Sequence, residues 1–152
     1  MIIDKSGNIN IKNMGIIITP IFTVDDMKNA LTLHSDDIRF RGSNSGYDRY
    51  GIKDMLFDDL PFGGLFIFYN NKIAFISMSY RGFTSKIKTF EEITPEIREL
   101  TKKKHEELLI EQHGATNRKY SWGKIELGID NKGWGDSSIV ITYNNFPIKG
   151  RE

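Results

Sequence analysis

Two apolar runs hinged on Asn70-Asn71 constrain this chain more than any other feature: Leu65-Phe66-Ile67-Phe68-Tyr69 on one side, Lys72-Ile73-Ala74-Phe75-Ile76-Ser77-Met78 on the other. Asparagine tolerates left-handed backbone, and a two-residue turn left-handed at both positions matches the twist of the strands it joins. The segment Gly64 to Tyr80 therefore reads as a β-hairpin. With Tyr69 opposite Lys72, unbroken alternation puts Leu65, Ile67, Ala74, Ile76 and Met78 on one face and Phe66, Phe68, Ile73 and Phe75 on the other. Both faces are apolar, so the hairpin needs cover on both sides, from its own helices and strands or from a partner. If its own chain leaves Phe66, Phe68 and Phe75 uncovered, that face joins copies into a homo-oligomer.

The remaining elements fall around this hairpin. Residues 2 to 18 hold two Ile-rich runs separated by Lys5-Ser6-Gly7-Asn8, a pattern for a short hairpin or for a strand with an irregular approach. Thr23-Val24-Asp25-Asp26 starts a helix, with a capping hydroxyl and two carboxylates in the first turn, and Val24, Met27 and Leu31 form its buried stripe to about His34. Ile38-Arg39-Phe40-Arg41 alternates as a strand with its arginines on one face, and the polar loop Gly42-Ser43-Asn44-Ser45-Gly46 follows. Phe62-Gly63-Gly64 precedes a strand rather than a helix and reads as a turn. A second helix runs from Thr94-Pro95-Glu96 to His113-Gly114, opened by a cap and a first-turn proline and closed by a glycine. Ile125, Leu127 and Ile129 alternate with polar residues, and after Asn131-Lys132-Gly133 the run Ile139 to Tyr143 returns as a second hairpin. Strands grouped in hairpins with two separate helices imply a single α+β domain over residues 1–152 with a mostly antiparallel sheet, not a βαβ nucleotide fold.

Composition narrows the function classes. The 152 residues are 39% hydrophobic, enough for one core and too few for two comfortable domains. Lys plus Arg number 21 and Asp plus Glu 20, so no one-signed field recruits nucleic acid or an anionic membrane. The absence of cysteine removes disulfides, thiolate zinc sites and a Cys nucleophile. Met1-Ile2-Ile3-Asp4-Lys5 lacks the basic start and apolar run of a secretion signal, and no stretch approaches the roughly 18 apolar residues of a membrane span. The expectation is a soluble, cytoplasmic protein.

Motifs for chemistry are sparse: there is no GxSxG, no phosphate-binding P-loop, no HExxH and no GxGxxG after a strand. His34-Ser35-Asp36-Asp37 gathers an imidazole and two carboxylates, which could serve a divalent metal or acid/base chemistry; equally, His34 suits a helix C-terminus and the aspartates a turn. In the second helix Ile97, Leu100, Lys104 and Leu108 share one arc at about 100° per residue. Lys104 is thus either a buried base or nucleophile, or a stem lying on the core whose ammonium reaches Glu107 or Glu111. His105 and His113 read as solvated or dipole-stabilised residues of a charged helix. No catalytic, metal or cofactor site is expected. The alternative is a small-ligand-binding or enzymatic domain that brings His34, Asp36, Asp37 or Lys104 into a concave sheet face.

Aromatic and arginine side chains in polar, Gly-rich segments say more. Tyr47, Arg49 and Tyr50 lie in one such segment, Trp122 beside Tyr120 in a second, and Trp134 between glycines in a third. Residues of this kind in loops are common interface anchors, although Trp122 equally suits the edge of the core. The order of elements, with the hairpin GGLFIFYNNKIAFISMSY, a capped helix and then YSWGKIELGIDNKGWGDSSIVITY, resembles the small cytoplasmic immunity proteins of bacterial contact-dependent and other polymorphic toxin systems. That resemblance, over about residues 60 to 143, implies a rigid domain that binds a cognate toxin domain, covers its active site or substrate path and performs no chemistry. The expected binding surface comprises Tyr47, Arg49, Tyr50, Trp122 and Trp134.

Overall fold

The computed structural model describes residues 1–84, 92–129 and 136–145. A short antiparallel pair, β1 (Ile9–Ile11) and β2 (Ile16–Ile18), opens the chain, joined by a 3-10 turn over Lys12–Met14 and by Gly15 at φ 64°. The reversal therefore falls at 12–15, and of the two expectations for residues 5–8 the irregular approach to a strand holds rather than the hairpin turn. Asp4 to Asn8 instead forms a loop before β1, closed by Asp4 Oδ1 accepting from the Ser6 and Asn8 amides.

Helix α1 (Val24–Leu33) starts at Thr23, whose hydroxyl accepts from the Asp26 amide at 3.2 Å while the Asp26 carboxylate accepts from the Thr23 amide at 2.9 Å. This reciprocal cap satisfies two amides that the first turn leaves without partners. Val24, Met27 and Ala30 are its buried residues.

The main sheet has seven antiparallel strands: β3 (Ile38–Asn44), β4 (Tyr47–Phe57), β5 (Leu60–Tyr69), β6 (Lys72–Tyr80), β7 (Lys119–Tyr120), β8 (Gly123–Ile129) and β9 (Ser137–Tyr143). Their order is β3-β4-β5-β6-β9-β8-β7. Two-residue turns with positive φ at both positions join the first four: Ser45-Gly46, Asp58-Asp59 and Asn70-Asn71. The α+β architecture, mostly antiparallel, is the one the sequence pattern predicts. Two local expectations change. The Gly42 to Gly46 loop shrinks to a tight turn, which brings Tyr47, Arg49 and Tyr50 into strand β4. Gly63 and Gly64 lie inside β5 rather than in a turn.

The register of the central hairpin also departs from simple alternation. Tyr69 faces Lys72 and Phe68 faces Ile73, but Ile67 then faces Phe75, so Ala74 is the extra residue of a β-bulge. A bulge shifts the alternation of one strand by one residue. Phe66, Phe68, Ile73, Ile76 and Met78 consequently share the core face, whereas Phe75 joins Ile67 on the opposite one. The expected Phe66/Phe68/Phe75 surface does not exist. Phe66 and Phe68 are fully enclosed by their own chain, so they cannot join copies.

One continuous core, from Ile2 to Tyr143, lies on that face. Helix α2 (Pro95–His113) begins at Thr94, whose hydroxyl accepts from the Ile97 amide, and stops at Gly114 with φ 79°. Its buried residues are Thr101, His105, Leu108 and Leu109, while Leu100 is exposed. The buried stripe is thus rotated by about one residue from the expected Ile97/Leu100/Lys104/Leu108 arc. His105, read as solvated, is its centre.

Candidate functional site

The ladder pairs assign the two faces of the sheet. Tyr50, Phe66, Ile76, Ile141 and Ile125 form one cross-strand row on the core face, with the Ile38–Ile52 pair and Phe62 in the rows beside it. The contacts from the helices fall here: His105 stacks on Phe62 with ring centroids 6.4 Å apart, and Phe22, just before α1, meets Phe68 at 6.3 Å. On the other face Arg39, Gly51, Leu65, Ser77, Val140 and Glu126 form one cross-strand row, and Arg49, Ile67, Phe75, Thr142 and Lys124 the next. Among the described residues, neither helix packs on this second face. Arg49, Leu65 and Ile67 remain half-buried there, and Arg39 is exposed.

The five expected anchors separate. Tyr47 and Arg49 stand on the second face; Tyr47 packs its ring on Tyr69 at 4.9 Å across the β4/β5 pair. Tyr50 points the other way and is 2% exposed, edge-on to Phe68 at 5.7 Å. It is a core residue, not an anchor, and burial raises the pKa of its phenol. Trp122 is 8% exposed, stacked on Tyr120 at 5.2 Å, and its indole N–H donates to the Lys5 carbonyl at 2.8 Å. It fastens the N-terminal loop over the core edge, so it too drops out as an anchor. Trp134 lies outside the described residues.

The titratable residues of the enzymatic alternative do not converge. His34 caps the C-terminus of α1, its amide donating to the Ala30 and Leu31 carbonyls, and lines a groove between α1 and β2. Asp36 and Asp37 line a different cleft at the start of β3. The Lys104 ammonium lies 5.6 Å above the Tyr80 ring, a cation–π contact rather than the expected pairing with Glu107 or Glu111. Among the described residues no group of three His, Cys, Asp or Glu is placed to hold a metal ion.

Sequence reasoning missed the buried polar unit His105, Tyr80 and Ser137. Burial lowers the His105 pKa to about 4, so the ring is neutral, and it serves as a packed spacer between α2 and the sheet. It also missed the cleft that Asp36 and Asp37 border. Arg39, Arg41, Lys53 and Arg81 line it, with Gly51 and Gly63 among its backbone, and its volume is about 260 Å3. The available signal was Gly63-Gly64 ahead of an apolar run, since glycine inside a strand often marks close approach of another group.

No protein-family model, curated protein or solved structure matches the chain. No helix among the described residues is long and apolar enough to cross a membrane. The fold and the site together define an α+β domain whose sheet has one face packed under the helices and a second that, among the described residues, carries no helix.

Proposed function

We propose that the protein acts by binding rather than by chemistry, as a cytoplasmic immunity protein whose open sheet face covers the active site or substrate path of a cognate toxin domain. The observation that carries this reading is the second face itself, where Arg39 and Arg49 stand beside Leu65 and Ile67 on paired strands. Arginine and aliphatic side chains held on a rigid sheet present a surface already ordered for a protein partner, which lowers the entropy lost on association. Tyr47 at one end adds an aromatic group of the kind that dominates binding energy at interfaces. The arrangement leaves the core, with Phe66, Phe68, Tyr50 and Trp122, to hold the platform rigid.

The test is affinity capture from native lysate, followed by assay of the captured protein's own activity with purified chain added back. The reading expects one near-stoichiometric partner whose activity the chain inhibits. Arg49→Glu and Ile67→Asp should each weaken that inhibition at least tenfold, while Trp122→Phe leaves it unchanged. Capture without inhibition, or full inhibition by Arg49→Glu and Ile67→Asp together, overturns it.

A further inference from the structure

We propose that the cleft between β3, β4 and β5 is an anion site, taking a ligand that carries two or more oxygens of a phosphate or carboxylate group on Arg41 and Arg81. The site lies at one end of the open face and does not rest on the protein-binding reading.

Three observations build it. Arg41 is the bulge residue between Phe40 and Gly42, which takes it out of the regular β3 ladder. Its side chain lies over Gly51, where an added Cβ would sit 3.2 Å from Arg41 Nε. Arg81 lies in the same way over Gly63, where a Cβ would sit 3.0 Å from Arg81 Cδ and 3.2 Å from Nη1. Two glycines thus let two arginine side chains settle against the sheet in one cleft, at positions where even a Cβ would make each give way by a few tenths of an ångström. The β-bulge of β4 between Ile52 and Met55 places Lys53 along the same cleft, and Arg39 lines it as well.

Charge supplies the second argument. Four cations line the cleft against two carboxylates, Asp36 and Asp37. Among the described residues the ion pairs are Met1 with Asp58, Arg98 with Asp136 and Lys124 with Glu126, so neither aspartate is within ion-pair distance of these cations. The guanidinium groups of Arg39, Arg41 and Arg81 make no hydrogen bond to the described residues either. A guanidinium is a rigid fork of donors that matches phosphate and carboxylate oxygens two at a time. Cations gathered without partners on a glycine floor repel one another until a polyvalent anion is shared between them, and the cleft has room for one with a small organic body.

The experiment is a titration of the isotope-labelled chain at constant ionic strength, following the Gly51 and Gly63 amides. Pyrophosphate serves as the phosphate probe and tricarballylate as the carboxylate probe. At least one should produce saturable shifts at Gly51 and Gly63, and which one saturates first identifies the class of ligand. Arg41→Gln with Arg81→Gln should weaken binding at least tenfold. If that pair fails to fold, Gly51→Ala with Gly63→Ala keeps every charge while lifting both arginines, and should weaken binding several-fold. Non-saturating shifts with both probes, or binding unaltered in the folded variant pair, overturn the proposal.

Discussion

The backbone N–H of Tyr80 donates to Nε2 of His105 at 2.9 Å, and this one bond sets the state of the ring. With Nε2 accepting, the proton resides on Nδ1 and is donated to Ser137 Oγ at 2.8 Å. The last residue of β6 and the first of β9 are thereby tied to the middle of α2. A neutral, fully enclosed imidazole lies where the helix meets the sheet.

Stability should therefore fall as the medium turns acidic. The folded pKa of His105 is depressed from 6.5 to about 4 by burial. Above about pH 6.5 the ring is neutral in both folded and unfolded chains, and the linkage vanishes. Between 6.5 and 4 the unfolded chain takes up a proton that the folded one refuses, so unfolding becomes easier by a total of about 3 kcal/mol, at about 1.4 kcal/mol per pH unit. Below 4 the loss levels off. Urea denaturation at pH 7.5 and pH 5 should differ by about 2 kcal/mol from this group. His105→Gln, which retains an acceptor and a donor, should remove that part of the difference; an unchanged pH dependence in the variant would contradict it.

Alternation along β5 makes neighbouring residues unequal. Phe66→Ala opens a cavity under the sheet and should destabilise by about 3–5 kcal/mol. Ile67→Ala, one residue along on the half-buried face, should cost less than about 1.5 kcal/mol. Chemical denaturation of the two variants decides the matter, and equal losses would mean that the hairpin faces have been assigned wrongly.

Gly7 is required twice over. Its φ of +83° belongs to the left-handed region, and a Cβ there would lie 2.6 Å from Trp122 Cδ2. Gly7→Ala should cost at least about 2 kcal/mol from strain and displacement of the indole. In a Trp134→Phe background, the emission of Trp122 should shift to longer wavelength as its ring is pushed toward water. Unshifted emission with intact stability would show that the loop is not seated on the indole.

The two helix caps should differ in worth. Thr94→Ala removes one hydroxyl acceptor and should cost about 1 kcal/mol. Thr23→Ala also breaks the hydroxyl's bond to Asp26, 2.9 Å long, and should cost closer to 2 kcal/mol. Melting temperatures of the two single variants provide the comparison.

The elements legible in the sequence were those whose signals are local. The Asn70-Asn71 turn, the Thr23 cap and the Thr94-Pro95 start each combine a turn or capping residue with the adjacent apolar pattern, and all three stand where that chemistry places them. What escaped was set by distant partners. A bulge at Ala74 leaves no mark in a run of apolar residues, yet it decides which side of the sheet Phe75 occupies. His105 reads as polar until Tyr80 and Ser137 arrive to satisfy both ring nitrogens. Tyr50 and Trp122 resemble loop anchors because glycine and polar residues flank them; Gly42 to Asn44 instead pair as strand, leaving only Ser45-Gly46 as the turn, and Trp122 finds Lys5 more than a hundred positions away. Of the expected binding surface, Tyr47 and Arg49 stand on the second face, whereas Gly63, which with Gly51 seats the arginines of the cleft, reads in sequence as part of an ordinary turn.

Strand order also dictates how the chain must assemble in time. The meander β3 to β6 is closed entirely by two-residue turns, so its contacts are short in sequence and form rapidly. The seam between Phe75–Met78 of β6 and Ile139–Thr142 of β9 joins residues some sixty positions apart. During synthesis β6 emerges well before β9 exists, so for that interval it is an apolar strand with an unfilled ladder of backbone donors and acceptors. Misassembly during expression should therefore begin at β6, and a lysine on its outward face, at Ser77, is the substitution that would guard the nascent chain at little cost to the finished fold.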